Sequence, residues 1–568
     1  MASRPGRRTP YRTCRAALLG AALCLGGWSG SVVAQDDAAV PAILSDPAVA
    51  AKVPLPDYSY AGYGFGVAPL PTDSGAVIDV TEYGARPDDG LDDSKAVLKA
   101  IEAADAVEGK VTVRFPKGRF IISSILRIQR GDFVLEGAGR GGEGTTLFFP
   151  RPLKIVDTSH DLDELREYLV KEHKFQREPK NNIDTLFTEY SWTGGFIQVG
   201  PENERAAAYL PQYDKRDPVL TDGVSGEHFT RTLTVSDPSK LRVGQVVELQ
   251  WFSTDGENSP IIRSIYGDYD GKIGSHHWSY KDRPLVVQPT RIEAIDGRRV
   301  MIGDPLMHDI SDRQPAVIAH HELLENVGIQ GLRLQFPDGP TYGHHLEQGN
   351  NGIYLTGMFD GWVRDVAIHN ADSGILTYDS GNLTIRNVAT SGDRTAHYAV
   401  HVGNAHNVLV RDLLVTNPVV HSLSLNTLST RAVFTHARVT SDATLDQHAG
   451  ANHQNLFDDV TLSIAPEKKD GKWTYELWHH GGARYWLPPH GRYNTNWNVN
   501  VVVESGATPG ETVTLTGKPM GPGERIVGVN GNRLFAVDYT PEPYLARVNQ
   551  TMAAVPSLYD YQLARRAK

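Results

Sequence analysis

Asn382-Leu383-Thr384-Ile385-Arg386-Asn387-Val388 returns 25 residues later as Asn407-Val408-Leu409-Val410-Arg411-Asp412-Leu413. Related phrases precede it, Trp362-Val363-Arg364-Asp365-Val366, and follow it, Val433-Phe434-Thr435-His436-Ala437-Arg438-Val439. A short apolar strand after Asn or Gly, recurring within the ~20–50 residues usual for solenoids, predicts stacked one-coil units rather than a helix-based repeat.

A second short strand precedes each phrase, at 352–357, 374–379, 398–403, 421–426 and 443–448. These predict the rungs of one sheet. With Tyr354, Leu376, Val400, Leu423 and Leu445 as the inward column, strand alternation turns their neighbours outward. Thr377, His401, Ser424 and Asp446 then form one outward column, and Asp379, Gly403, Asn426 and His448 the next. Rungs ~4.8 Å apart would gather these polar groups into a sugar-sized patch.

Toward the N-terminus, a strand at 77–80, an acidic turn and a helical run over 92–106 lead into strands at 111–115 and 120–122. Such a helix would cap the open end of the core. Tyr83-Gly84-Ala85, Asp88-Asp89-Gly90, Asp92-Asp93, Phe115-Pro116-Lys117-Gly118 and Leu135-Glu136-Gly137-Ala138-Gly139 together resemble the opening of the pectate-lyase superfamily over 77–150. The resemblance implies an all-β fold, a right-handed parallel β-helix with an N-terminal capping helix. It implies no single reaction, because the superfamily includes lyases, hydrolases, transferases and phage tailspikes.

Residues 151–320 break the pattern, with a charged helical stretch near 162–173 and a strand-rich one near 229–250, and are expected to form an inserted subdomain on the early coils. Coils carrying the active face are expected over 321–503, a C-terminal cap over 504–568, and an extended lead-in over 35–76.

Residues 1–34 have the pattern of a secretory signal: Arg4, Arg7, Arg8, Arg12 and Arg15, an apolar run over 16–27, and small residues ending at Ala34. The run is shorter than the ~20 residues of a bilayer span, so the expected product is secreted or periplasmic with no membrane anchor. Both cysteines, Cys14 and Cys24, lie in that segment, which excludes disulfides and cysteine catalysis from the mature chain. The net charge of −11 and the lack of any basic block argue against nucleic acid as a partner.

The densest polar constellation is Asp446-Gln447-His448-Ala449-Gly450-Ala451-Asn452-His453, where a strand ends in a histidine-rich turn. His448 and His453 could supply a base and a substrate contact. His401 gains weight from its column with Ser424 and Asp446. In the loop before it, Arg394 suits a uronate carboxylate, with His397 close by. Tyr378 and Tyr398 are phenols placed to protonate a leaving oxygen. The insertion 342–347, with His345, is a candidate cleft wall. Trp478, His479, His480, Trp486, His490 and Trp497 gather beside the last rungs, and Trp486 suits stacking on a sugar. His479, His480 and His490 lack a zinc spacing, so no metal centre is expected there.

Elimination at a uronate needs a group to neutralise the carboxylate, a base and an acid, which His401, His448, Arg394 and a tyrosine could provide. Hydrolysis needs two carboxylates, for which Asp379 and Asp446 are the available pair. The Asn-Thr-Asp, Asp-Asp, Gly-His-Gly and Arg-Ile-Lys set of polygalacturonases is missing from the repeat, as is the Arg-rich pattern of calcium-dependent pectate lyases, so no catalytic residue carries over from the resemblance. A polar face rich in His and Asn, Asn426 included, and modest in carboxylates favours a lyase acting on a uronate-containing polysaccharide. An acidic chain would need a locally basic cleft or a Ca2+ ion to hold such a polymer. The alternatives are a glycoside hydrolase using Asp379 and Asp446, and a non-catalytic carbohydrate-binding or adhesion solenoid.

Overall fold

The computed structural model describes residues 39–176, 186–208, 210 and 214–567; the signal segment expected over 1–34 lies outside them. In the repeat phrases Asn382, Asn387, Asn407 and Asp412 all adopt left-handed backbone, with φ of 54°, 54°, 54° and 58°. Asn and Asp enter that region at little cost because their short polar side chains bond locally. They are the corners of the coil. Between corners, Thr384 pairs in parallel with Leu409, Ile385 with Val410 and Arg386 with Arg411. This is the 25-residue offset of the sequence.

Trp362–His369 bends at Asp365, where φ is 55°, and pairs on one side of the bend with Gly328 and on the other with Arg333. Such bends merge two walls of each coil into one seventeen-stranded sheet. The third wall is an eight-stranded parallel sheet of rungs: Leu126–Ile128, Ile197–Val199, Asn351–Leu355, Ser373–Thr377, Ala396–Gly403, Val419–Asn426, Leu445–His448 and Trp478–Gly481. The chain is a right-handed parallel β-helix. Helix Ser94–Asp105 closes its first coil by burying Val97, Ala100, Ile101 and Ala104.

Inside, Ile353, Ile375, Val400, Leu423 and Leu445 stack in register and are fully buried. Each such side chain contributes ~1.5–3 kcal/mol by leaving water. The expected column is off by one in its first two rungs, since Tyr354 and Leu376 point outward in register with His401. Adjacent apolar residues at Ile375 and Leu376 make both alternations equally hydrophobic. The outward pair stays dry because the segment around Ala206 packs over it, with the Tyr354 hydroxyl donating to the Ala206 carbonyl at 2.9 Å.

Three boundaries differ from the sequence expectation. Within 151–320, Ile197–Val199 is a rung, paired with Leu126–Ile128 and Asn351–Leu355. The inserted body is a closed six-stranded barrel running from Val219–Gly226 to Ala316–Ala319, with its own core around Leu249, Trp251, Ile292 and Ile318. The coils also continue past Val503: Arg525–Gly531 stacks on Thr495–Val503, and Tyr544–Val548 on Arg525–Gly531. Finally, the lead-in 35–76 contains short helices, and Ile43, Tyr58 and Ala61 share a buried cluster with Trp497, Leu558 and Tyr559 of the C-terminal region. The buried Asp458 caps helix Leu558–Arg566, accepting from the Leu558 amide at 2.7 Å.

Candidate functional site

Two neighbouring polar places stand on the rung sheet. On the first, His401, Ser424, Asp446 and His479 register on successive rungs. Thr377 does not join them, because it pairs with Val402. The carboxylate of Asp446 is fully buried and accepts from Ser424 Oγ at 2.7 Å. Nδ1 of His448 lies 3.1 Å from it, Nδ1 of His479 3.3 Å and Nδ1 of His421 3.3 Å. Burial alone would raise the pKa of Asp446, but His421 and His448 outweigh it and hold the carboxylate well below its ordinary range.

Around this cluster, the buried His397 places Nδ1 3.0 Å from Glu347 and Nε2 3.2 Å from His344. His345 stacks on His344 and touches Phe187 and Trp192. His401 is buried with Nε2 3.4 Å from the Tyr378 hydroxyl; burial, then His448, lowers its pKa to about 3. Asn426 donates to the Tyr398 hydroxyl at 3.4 Å. Sequence reasoning misses His421, and it places His479 only among the late aromatics and Glu347 only in the 342–347 insertion, neither with Asp446. His421 lies two residues before an inward leucine and His479 beyond a hairpin, so neither shares a linear motif with Asp446.

Several expected site residues lie elsewhere. Arg394 is buried and spent on Asp372 at 3.0 Å and the Pro337 carbonyl at 2.9 Å, so it is no free partner for a uronate. His453 sits against the barrel with Nε2 2.8 Å from His308 Nε2. Asp379 leaves the expected column, because the Thr377 register sets Tyr378 beside Gly403 and Asp379 in the following turn, at φ 41°. It therefore makes no pair with Asp446. Trp478 and Trp497 are core.

The second place is a cleft of about 420 Å3 between the rung turns and the barrel. Asp379, from the turn after a rung, lines it together with Glu204, Asp214, Asp217 and Glu248. Trp486 and Tyr280 form an aromatic wall, with His276 packed 4.6 Å from Trp486. Burial, reinforced by the charges of Asp214 and Glu204, raises Asp379 well above the ordinary carboxylate value. Burial also raises Asp214, to about 6, with Arg205 opposing. His321 Nδ1 lies 2.9 Å from Asp217; against the effect of burial, Glu248 and Asp217 push His321 up to about 12. Gln250 Nε2 donates to Asp217 at 2.7 Å and to Glu248 at 2.8 Å. Asp217, Glu248 and His321 thus bring one donor atom each within 4.8 Å of one another.

The opening coil shows why its motif residues stand where they do. Asp93 ties the Arg86 amide at 2.8 Å to the Ile121 amide at 3.1 Å. Gly118, at φ 120°, lies against Pro87, where a Cβ would clash at 2.4 Å. Residues 77–186 match the family model of rhamnogalacturonase A/epimerase, pectate lyase-like proteins. No curated protein matches the chain. Solved structures similar to it include the tailspike gp49 of Pseudomonas phage LKA1, at 11% identity over 83% of this chain and 81% of that one, with a TM-score of 0.42. The mannuronan C-5 epimerase AlgE4 A-module of Azotobacter vinelandii is 12% identical over 83% and 96%, with a TM-score of 0.37. The exopolygalacturonase of Thermotoga maritima is 10% identical over 84% and 95%, with a TM-score of 0.34.

Proposed function

We propose that the protein is an exported polysaccharide hydrolase working in the cleft between the rung turns and the barrel. The observation that carries this is the gathering, in one cleft, of Asp379 and Asp214, two carboxylates that burial shifts upward, beside an aromatic wall. Asp379, raised by burial and by the charges of Asp214 and Glu204, serves as the acid and gives its proton to the glycosidic oxygen as the C–O bond breaks. Asp214, whose Oδ1 accepts from Arg205 Nε at 2.8 Å and which ionises above about pH 6, takes a proton from the water whose oxygen joins the sugar carbon. Trp486 and Tyr280 offer flat apolar faces to sugar C–H groups.

Elimination, favoured on sequence, keeps His448 at the rim of the histidine face but has two of its expected groups engaged or buried. Arg394 is bound to Asp372, and His401 is buried with an affinity too low for an effective base. Export rests on residues 1–34, and the mature chain should begin after Ala34. The test is incubation with acidic and neutral polysaccharides while reading reducing ends and ultraviolet absorbance. New reducing ends without a conjugated double bond support hydrolysis. Absorbance from an unsaturated uronate overturns it in favour of elimination, and retention on substrate without product points to a binding module.

A further inference from the structure

We infer that His421, Asp446, His448 and His479 form a binding site for one divalent transition metal of the zinc class. This goes beyond the chemistry of the cleft and does not depend on it. One donor atom from each residue lies within 4.8 Å of all the others. They come from three successive rungs, Val419–Asn426, Leu445–His448 and Trp478–Gly481, held in parallel register. Asp446 and His479 share a column, His448 follows two residues on along the same strand, and His421 comes from the rung before.

The spacings match a ligand shell better than a hydrogen-bonded cluster. Donors ~2.0–2.1 Å from a tetrahedral ion stand about 3.3 Å from one another. His448 Nδ1 and His479 Nδ1 stand 3.1 and 3.3 Å from Asp446 Oδ1, and His421 Nδ1 stands 3.3 Å from Oδ2. Charge-assisted N–H···O bonds close to ~2.7–2.9 Å. His421, 1% exposed, makes no aligned hydrogen bond through either ring nitrogen among the described residues, although its Nδ1 faces Asp446. A buried imidazole with both nitrogens idle is costly unless something occupies one of them.

The donor chemistry selects the ion. Three imidazoles and one carboxylate suit zinc and its neighbours, whereas calcium takes an all-oxygen shell. The carboxylate is itself held by Ser424 Oγ at 2.7 Å, the outer hydrogen bond that fixes a metal-ligating Asp. His479, with 32% of its side chain exposed, and His448, with 15%, form the rim, so an ion can enter and keep a position open toward solvent. The second histidine group, His344, His345 and His397, lies alongside, His344 being 5.4 Å from His421 between ring centroids. Its carboxylate, Glu347, lies 3.0 Å from His397 Nδ1 and also accepts from the His345 amide and Ser191 Oγ, and the structure assigns this group no ion.

The test uses the purified full chain, dialysed against metal-free buffer and titrated with Zn2+, with Co2+ as a spectroscopic probe. One tightly bound equivalent is expected, with visible Co2+ bands of low-symmetry four- or five-coordinate geometry. His479→Ala, at the exposed rim, and the isosteric Asp446→Asn should each weaken Zn2+ binding on the order of 100-fold and remove the bands while circular dichroism stays native. His345→Ala should keep the ion. Absence of bound metal in the wild type, unchanged binding in both His479→Ala and Asp446→Asn, or loss of the ion in His345→Ala alone would overturn the assignment.

Discussion

The acidic cleft and the histidine face are built on the same eight-stranded sheet, yet burial acts on their carboxylates with opposite results. In the cleft, Asp379 has Asp214 and Glu204 as neighbours, and shared negative charge adds to desolvation, so its pKa moves up. On the face, Asp446 is just as buried but is ringed by His421 and His448, which reverse the effect of desolvation. What a rung position can do is therefore set by the charge of its neighbours rather than by depth. Oxygen beside oxygen makes an acid. Oxygen beside nitrogen makes a ligand.

The largest effect should separate the two places. Asp379→Asn should lower polysaccharide turnover by ~10²–10⁴-fold while leaving metal content unchanged, measured on the same preparation by initial rates and elemental analysis. Loss of metal together with activity would mean the two places act as one. The pH profile sharpens this. The wild-type rate should rise through about pH 6 as Asp214 ionises and fall at higher pH as Asp379 loses its proton. The residual rate of Asp379→Asn should lose the alkaline limb.

A second variant probes how the cleft is held. Asp304 of the inserted segment is buried between Gln288, Thr290 and His406, at 2.9, 2.6 and 2.8 Å, and faces Arg431 at 3.5 Å. Asp304→Ala leaves a buried guanidinium uncompensated and should cost ~3–5 kcal/mol, seen as a lower unfolding midpoint. A cost under about 1 kcal/mol would show that this junction does not fix the barrel to the coils. The smallest effect is expected from Trp486→Ala, which should raise KM roughly two- to tenfold with kcat little changed.

The coil is legible because its corners need left-handed backbone, and Asn382, Asn387, Asn407 and Asp412 announce it at a fixed offset. The rung columns are legible from Val400 onward, where strand alternation alone sets His401, Ser424 and Asp446 in one line. They slip at Ile375-Leu376, where two adjacent apolar residues hide the alternation. The site is less legible for a different reason. Asp379 needs the position of a barrel a hundred residues upstream, and the Asp446 cluster needs the 33-residue step to His479, which a hairpin over 467–476 inserts between rungs. Arg394 looks available in the sequence because its partner Asp372 lies in the preceding coil, a pairing made by stacking rather than by proximity along the chain.

The most direct test of the central claim is to run the reaction in water enriched in heavy oxygen and weigh the products. Hydrolysis in the cleft predicts one labelled oxygen at each new reducing end from the wild type, and almost no labelled product from Asp379→Asn. Unlabelled products lighter by one water, formed equally by both proteins, would contradict it.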